Sequence, residues 1–205
     1  KVVLALYKAG NEYDADKNPI VGTAADAYER IEMTLGEKGV WSATVDGVGH
    51  GTYYTYTVTT AAGTETATDP YGKAAGLNGN RSMVVDLDKT NPLNWTDANF
   101  DPTFGGTVNF DNYSDAFIWE VHIRDFSNLI TDSQYKGKYL AFTERGLVNE
   151  HGVPVGIDYL KSLGVNFVHI LPMYDYATVK EEDPNSGFNW GYDPKNYNVP
   201  EGSYS

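Results

Sequence analysis

The sequence contains no cysteine, which excludes a disulfide framework, a thiolate metal site and a cysteine nucleophile. Basic residues are also scarce, with 15 Lys and Arg against 28 Asp and Glu and a net charge of -13. Such a surface repels phosphate backbones and anionic lipid head groups, so nucleic acid and membranes are poor partners for it. No apolar run approaches the roughly 20 residues of a membrane-crossing helix. The opening residues Lys1 to Lys8 read as a short strand rather than as the basic start and apolar stretch of a signal peptide. The expectation is therefore that the natural N-terminus lies further upstream. The length of 205 residues suits one large domain or two small ones with a real hydrophobic core.

Aromatic residues are abundant, with 16 Tyr, 8 Phe and 4 Trp. Flat rings with polar handles suit sugars, which have apolar faces and hydroxylated edges. Strand packing is the plainer explanation for most of them. Trp41 fits a core role as well as a sugar platform, and Trp95 could cover an interface.

The pattern changes near residue 100. Val2–Tyr7, Ile31–Thr34, Val40–Val45, Tyr53–Val58 and Met83–Leu87 read as short strands separated by turns. Residues 1–100 are thus expected to form an antiparallel β-sandwich. Asn11 to Asp26 reads as a loop, the glycines of Gly47–Gly51 as a tight connection, and Thr90 to Gly106 as a linker. From there, Ala116–Ile123 and Val165–Leu171 read as strands buried on both faces. A helix over Pro154–Leu163 lies between them, with Gly164 as its stop. Strand, helix and strand make a βαβ unit with parallel strands. Residues 101–205 are expected to begin a (β/α)8 TIM barrel with its first two strands, whose active site is built by the loops after the strands.

The most specific motif lies in the second of those loops. Phe188-Asn189-Trp190-Gly191-Tyr192-Asp193-Pro194, continuing to Pro200-Glu201-Gly202-Ser203-Tyr204-Ser205, resembles the signature of type I pullulanases. These are debranching enzymes of the α-amylase superfamily, glycoside hydrolase family 13. Ala116–Phe126 is similar to the first barrel strand of these enzymes and Gly164–Asp175 to the second. Val40-Trp41, Tyr53–Tyr56, Asp69–Lys73 and Asn78–Ser82 resemble the N-terminal family 48 carbohydrate-binding module.

The resemblance implies that Tyr192 stacks on the glucose ring beside the scissile bond, with Asn189, Trp190 and Asp193 shaping the substrate-binding loop around it. Family members usually carry tyrosine where this chain has Phe188, so a hydroxyl is missing there. The family hydrolyses α-1,6 linkages with retention, using two carboxylates about 5 Å apart that follow the fourth and fifth barrel strands. The expectation is an interior fragment without a catalytic residue, completed by the C-terminal remainder of the same enzyme, with pullulan, limit dextrin, glycogen or starch as substrate. An isoamylase or branching-type fragment and a non-catalytic α-glucan-binding module are the alternatives.

Other residues carry weaker readings. His122 and His169, inside apolar strands, are expected as hydrogen-bonded core residues rather than ligands. Glu120, Arg124 and Asp125 suit a charged network at the strand end, with Arg124 and Asp125 as an ion pair. The acidic run Glu181-Glu182-Asp183 is solvated or, being oxygen-rich, suits a structural calcium ion, although no EF-hand loop is present. No cofactor is required by the chemistry.

Overall fold

The computed structural model describes residues 1–13, 19–20, 27–91 and 112–205. The described residues group into two compact units, Lys1–Leu87 with Tyr174–Gly202, and Asp88–Met173 with Ser203–Ser205. The expected division at residue 100 and Trp95 in the linker lie outside the described residues, as does most of the expected loop between 11 and 26.

The first unit is built on an antiparallel sheet. The β-branched and aromatic runs produce β1 (Val2–Tyr7), β4 (Glu29–Glu32), β7 (Tyr53–Thr60) and β8 (Gly63–Ala67), in the order β4-β1-β7-β8. β9 (Ser82–Met83) pairs with β7. Two short ribbons accompany the sheet, β2 (Glu12–Tyr13) with β3 (Pro19–Ile20), and β5 (Thr34–Leu35) with β6 (Trp41–Ser42). β1 lies between β4 and β7, with Leu4 opposite Ile31 on one side and Tyr56 on the other. Ala5, Leu6 and Tyr7 are consequently the buried heart of this unit. The Tyr7 hydroxyl meets Thr55 Oγ1 at 3.0 Å, and the Arg81 guanidinium lies 3.9 Å over its ring, a cation–π contact that seals the apolar core under a charge.

The strand expectations hold in type and shift in extent. Val40–Val45 shortens to β6, with Trp41 half-buried, and Met83–Leu87 shortens to β9, the chain then turning into a 3-10 segment at Leu87–Thr90. β8 was not anticipated, because Gly63–Ala67 is polar and lies open to water. It pairs with β7 through Thr57–Thr66 and Thr59–Thr64, whose hydroxyls meet at 2.9 Å, so cross-strand hydroxyl pairs stand in for an apolar face. Gly47 and Gly51 take φ of +74° and +88°, as the tight connection requires.

The same unit contains β12 (Tyr174–Tyr176) and β13 (Pro194–Pro200), an antiparallel ribbon with register shifts. Residues 177–193 are the irregular excursion between its strands.

The second unit carries β10 (Ile118–Val121) and β11 (Phe167–Ile170), paired in parallel with Ile118 opposite Phe167 and Val121 opposite Ile170. α2 (Ile157–Ser162) lies between them in sequence. It ends where expected: Gly164 has φ +78°, and the Gly164 and Val165 amides donate back to Lys161 and Leu160. Two corrections apply here. The strands are not buried on both faces, since Ile118, Phe167 and Val168 are exposed; among the described residues a two-stranded pair has too little covering it. The strand does not run to Ile123, because His122 Nδ1 accepts the Arg124 amide at 3.2 Å and caps α1 (Ile123–Ser127). Specific contacts tie the segment that follows α1. Phe126 stacks on Phe142 at 3.8 Å, Glu144 accepts the Ser133 hydroxyl at 2.5 Å and the Gln134 amide at 2.8 Å, and Asp158 pairs with Arg145 at 2.6 Å. The Gly146 amide, together with Arg145, holds the Asp158 carboxyl below its ordinary value. Among the described residues no helix is long and apolar enough to cross a membrane.

Candidate functional site

The motif Phe188–Asp193 occupies the excursion between β12 and β13. Asn189 sits at its base and is only 9% exposed. Its Oδ1 accepts the Gly191 amide at 2.6 Å, and its Nδ2 donates to Thr178 Oγ1. The Thr178 hydroxyl in turn donates to Asp193 Oδ2 at 3.3 Å. Gly191 takes φ +87°, a conformation that side chains disfavour. The chain therefore reverses here, and the two residues flanking Gly191 point into solvent: Trp190 is 59% and Tyr192 70% exposed. The Phe188 ring meets the Trp190 indole edge-on at 5.1 Å, which steadies the indole from one side. Of the four residues expected to bind substrate, Asn189 and Asp193 are thus joined through Thr178 in the scaffold of the loop, while Trp190 and Tyr192 present aromatic surface. Sequence reasoning missed Thr178, whose only signal is its place two residues after β12.

Both stems of the loop end in buried polar groups. Asp175 is 1% exposed and accepts from Asn196 Nδ2 at 2.6 Å. Glu201 is fully buried and accepts the Tyr176 amide at 3.0 Å. Burial, opposed by the Asn196 hydrogen bond and reinforced by the Glu201 charge, pushes the Asp175 carboxyl up to about 6. Burial and then Glu201 push Glu181 up to about 7, against the pull of the Asn78 amide. In the acidic run read as solvated or as calcium-binding, Glu182 and Asp183 are exposed, whereas Glu181 is half-buried and accepts the Asn78 amide at 2.9 Å; Glu182 accepts from Asn78 Nδ2 at 2.8 Å. Among the described residues no group of three or more acidic or histidine side chains is arranged to hold a metal ion.

In the second unit His122 is the buried, hydrogen-bonded histidine its apolar context predicts, with Nε2 3.1 Å from the Tyr204 hydroxyl. The Tyr139 ring packs edge-on against Tyr204 at 5.7 Å, and Lys138 Nζ donates to the Ser203 carbonyl at 2.7 Å. His169 departs from the expectation: its side chain is exposed and pairs with Glu120 Oε2 at 3.1 Å.

Comparison with known proteins fits this arrangement. Residues 14–72 match the model of carbohydrate-binding module 48, the isoamylase N-terminal domain. The chain is 39% identical to the pullulanase of Bacillus subtilis (strain 168), over 85% of this chain and 23% of that protein. It is 33% identical to pullulanase A of Streptococcus pneumoniae, over 100% of this chain and 16% of that protein. Among solved structures, a mutant pullulanase from Paenibacillus barengoltzii complexed with maltotriose superposes with a TM-score of 0.83 at 36% identity, covering 100% of this chain and 29% of that one. An antiparallel unit that matches a carbohydrate-binding module, joined to an aromatic loop on a polar scaffold, defines the class. The chain belongs to the pullulanase family, of whose curated members it spans less than a quarter.

Proposed function

We propose that the complete protein hydrolyses α-1,6-glucosidic linkages in pullulan and branched α-glucans with retention at the anomeric carbon, and that this chain supplies part of the substrate site. The observation that carries this reading is the exposure of Tyr192 on a loop whose Asn189 is locked from beneath. A rigid, presented ring is what sugar stacking needs, since little ordering remains to be done on binding.

In this reading Tyr192 stacks on a glucose ring, Trp190 adds a second apolar surface, and Asn189 and Asp193 hold the loop in shape. Residues 1–100 are the carbohydrate-binding module and 101–205 the start of the (β/α)8 barrel, with β10 and β11 as its first two strands. The parallel register of β10 and β11, with α2 between them in sequence, supports that assignment. The nucleophile and the general acid belong to later strands of the barrel, so this chain contributes binding and the remainder of the enzyme contributes the bond-breaking carboxylates.

The test is the complete protein incubated with pullulan. Release of reducing ends, with the first-formed product in the α configuration by NMR, is the expected result. Binding of pullulan without any cleavage would instead make the protein a glucan-binding module, and an inverted first product would overturn the retaining mechanism.

A further inference from the structure

We infer that the turn Asn78–Asn80 is a positioning element for the Tyr192 loop, so that the β-rich module takes part in catalysis by holding a substrate-contacting loop as well as by any binding of its own. The inference rests on the reading of Tyr192 given above.

The turn grips both stems of the loop. On the incoming side the Asn78 amide donates to Glu181 Oε1 at 2.9 Å, Asn78 Oδ1 accepts the Glu181 amide at 3.0 Å, and Asn78 Nδ2 donates to Glu182 Oε2 at 2.8 Å. On the outgoing side Lys195 Nζ donates to the Asn78 carbonyl at 2.7 Å and to Asn80 Oδ1 at 2.6 Å, and Asn196 Nδ2 donates to the Gly79 carbonyl at 2.9 Å. Glu182 and Lys195 bracket the motif Phe188–Asp193 in sequence. One three-residue turn thereby sets the separation of the two points from which the loop springs.

The turn is shaped for this task. Asn78 and Gly79 both have positive φ, +54° and +62°, which turns consecutive backbone groups outward toward different partners. A Cβ at Gly79 would run into the Asp175 carboxylate and the Asn196 amide, so the backbone approaches the ribbon as closely as glycine allows. Asn196 is shared, donating to Gly79 and to Asp175, which ties the turn to β12 as well as to β13. Displacement of a substrate-contacting group by about 1 Å can cost around 100-fold in rate, so a linkage of this kind is a catalytic constraint even though it touches no substrate.

A double-mutant cycle in the complete enzyme tests it. Asn78→Gly keeps the positive φ but removes the side-chain bonds to both glutamates, and Glu182→Ala removes one of them from the other side. Each is expected to lower kcat/KM on a branched maltooligosaccharide by about 10-fold in the wild-type background, with the fall mainly in kcat and the thermal midpoint nearly unchanged. In the Tyr192→Ala background the same substitutions should cost less than about 2-fold, because the group they position is gone. A 10-fold loss in both backgrounds, or no loss in the wild-type background while Tyr192→Ala is impaired, overturns the positioning role. If Tyr192→Ala itself is fully active, the sugar-contact reading fails first. If Asn78→Gly does not fold, the Glu182→Ala arm of the cycle decides.

Discussion

Asn189 Oδ1 accepts the amide of Gly191 at 2.6 Å, so the side chain at the base of the motif is committed to holding the reversal that exposes Tyr192. Asn189 and Tyr192 stand three apart in the same short motif and have opposite duties, one buried and bonded, the other open to solvent.

Tyr192→Ala should therefore separate activity from stability. Loss of the ring is expected to lower kcat/KM of the complete enzyme on pullulan by about 100-fold, of the order of 3 kcal/mol in transition-state stabilisation. The thermal midpoint should move by no more than about a degree, because an exposed side chain contributes little to folding. Tyr192→Phe should retain most activity, since stacking uses the ring. Steady-state kinetics beside calorimetry on the same preparations check both halves.

Asn189→Ala should do the reverse in part. It leaves the buried Gly191 amide without its partner, which costs about 1–3 kcal/mol, while the exposed Thr178 keeps its bond to Asp193. Activity should fall together with the loop's resistance to a protease cutting within 177–193. Undiminished resistance to cleavage would show that Asn189 does not hold the loop.

Gly79→Ala is expected to be among the more damaging single changes in the first unit. It forces a side chain into φ +62° and against the buried Asp175–Asn196 pair, with an expected loss of about 3 kcal/mol or more in urea unfolding. Gly47→Ala, at a similar φ but with open space around it, should cost only about 1 kcal/mol, the conformational share alone.

The buried carboxylates predict a pH dependence. Asp175 and Glu181 rise from ordinary values of 3.8 and 4.5 to about 6 and about 7. The groups facing them are Glu182, Glu201 and Lys195. Between the ordinary and the raised values the folded chain binds more protons than the unfolded one, so their contribution to stability is present at the acid end and lost as pH rises from about 4 to about 7. Asp175→Asn removes one of the two. Its urea midpoint should fall less than that of the wild type over this range, and an equal fall in both proteins would show that Asp175 does not titrate there.

Much of this was legible in the residues. Val2–Tyr7 and Tyr53–Thr60 are rich in β-branched and aromatic residues, and they became the paired centre of the sheet. Gly164 stopped its helix because a left-handed residue is needed there. Gly63–Ala67 could not be read as a strand, since its pairing depends on threonines supplied by β7. The histidines show the same limit. His122 and His169 occupy similar apolar contexts, yet one is buried against Tyr204 and the other stands in water beside Glu120.

Local propensity and residue identity suffice for β1, β7 and α2, for the family signature at Phe188–Ser205 and for the glycines that permit its turns, because none of these waits on a distant partner. The exposure of Trp190 and Tyr192 and the bonds that hold their loop come instead from tertiary contacts. The bonds of Asn78 to Glu181 and Glu182, and of Asn196 to Gly79, join residues more than a hundred positions apart, and no local pattern encodes a contact whose two halves are brought together only by folding.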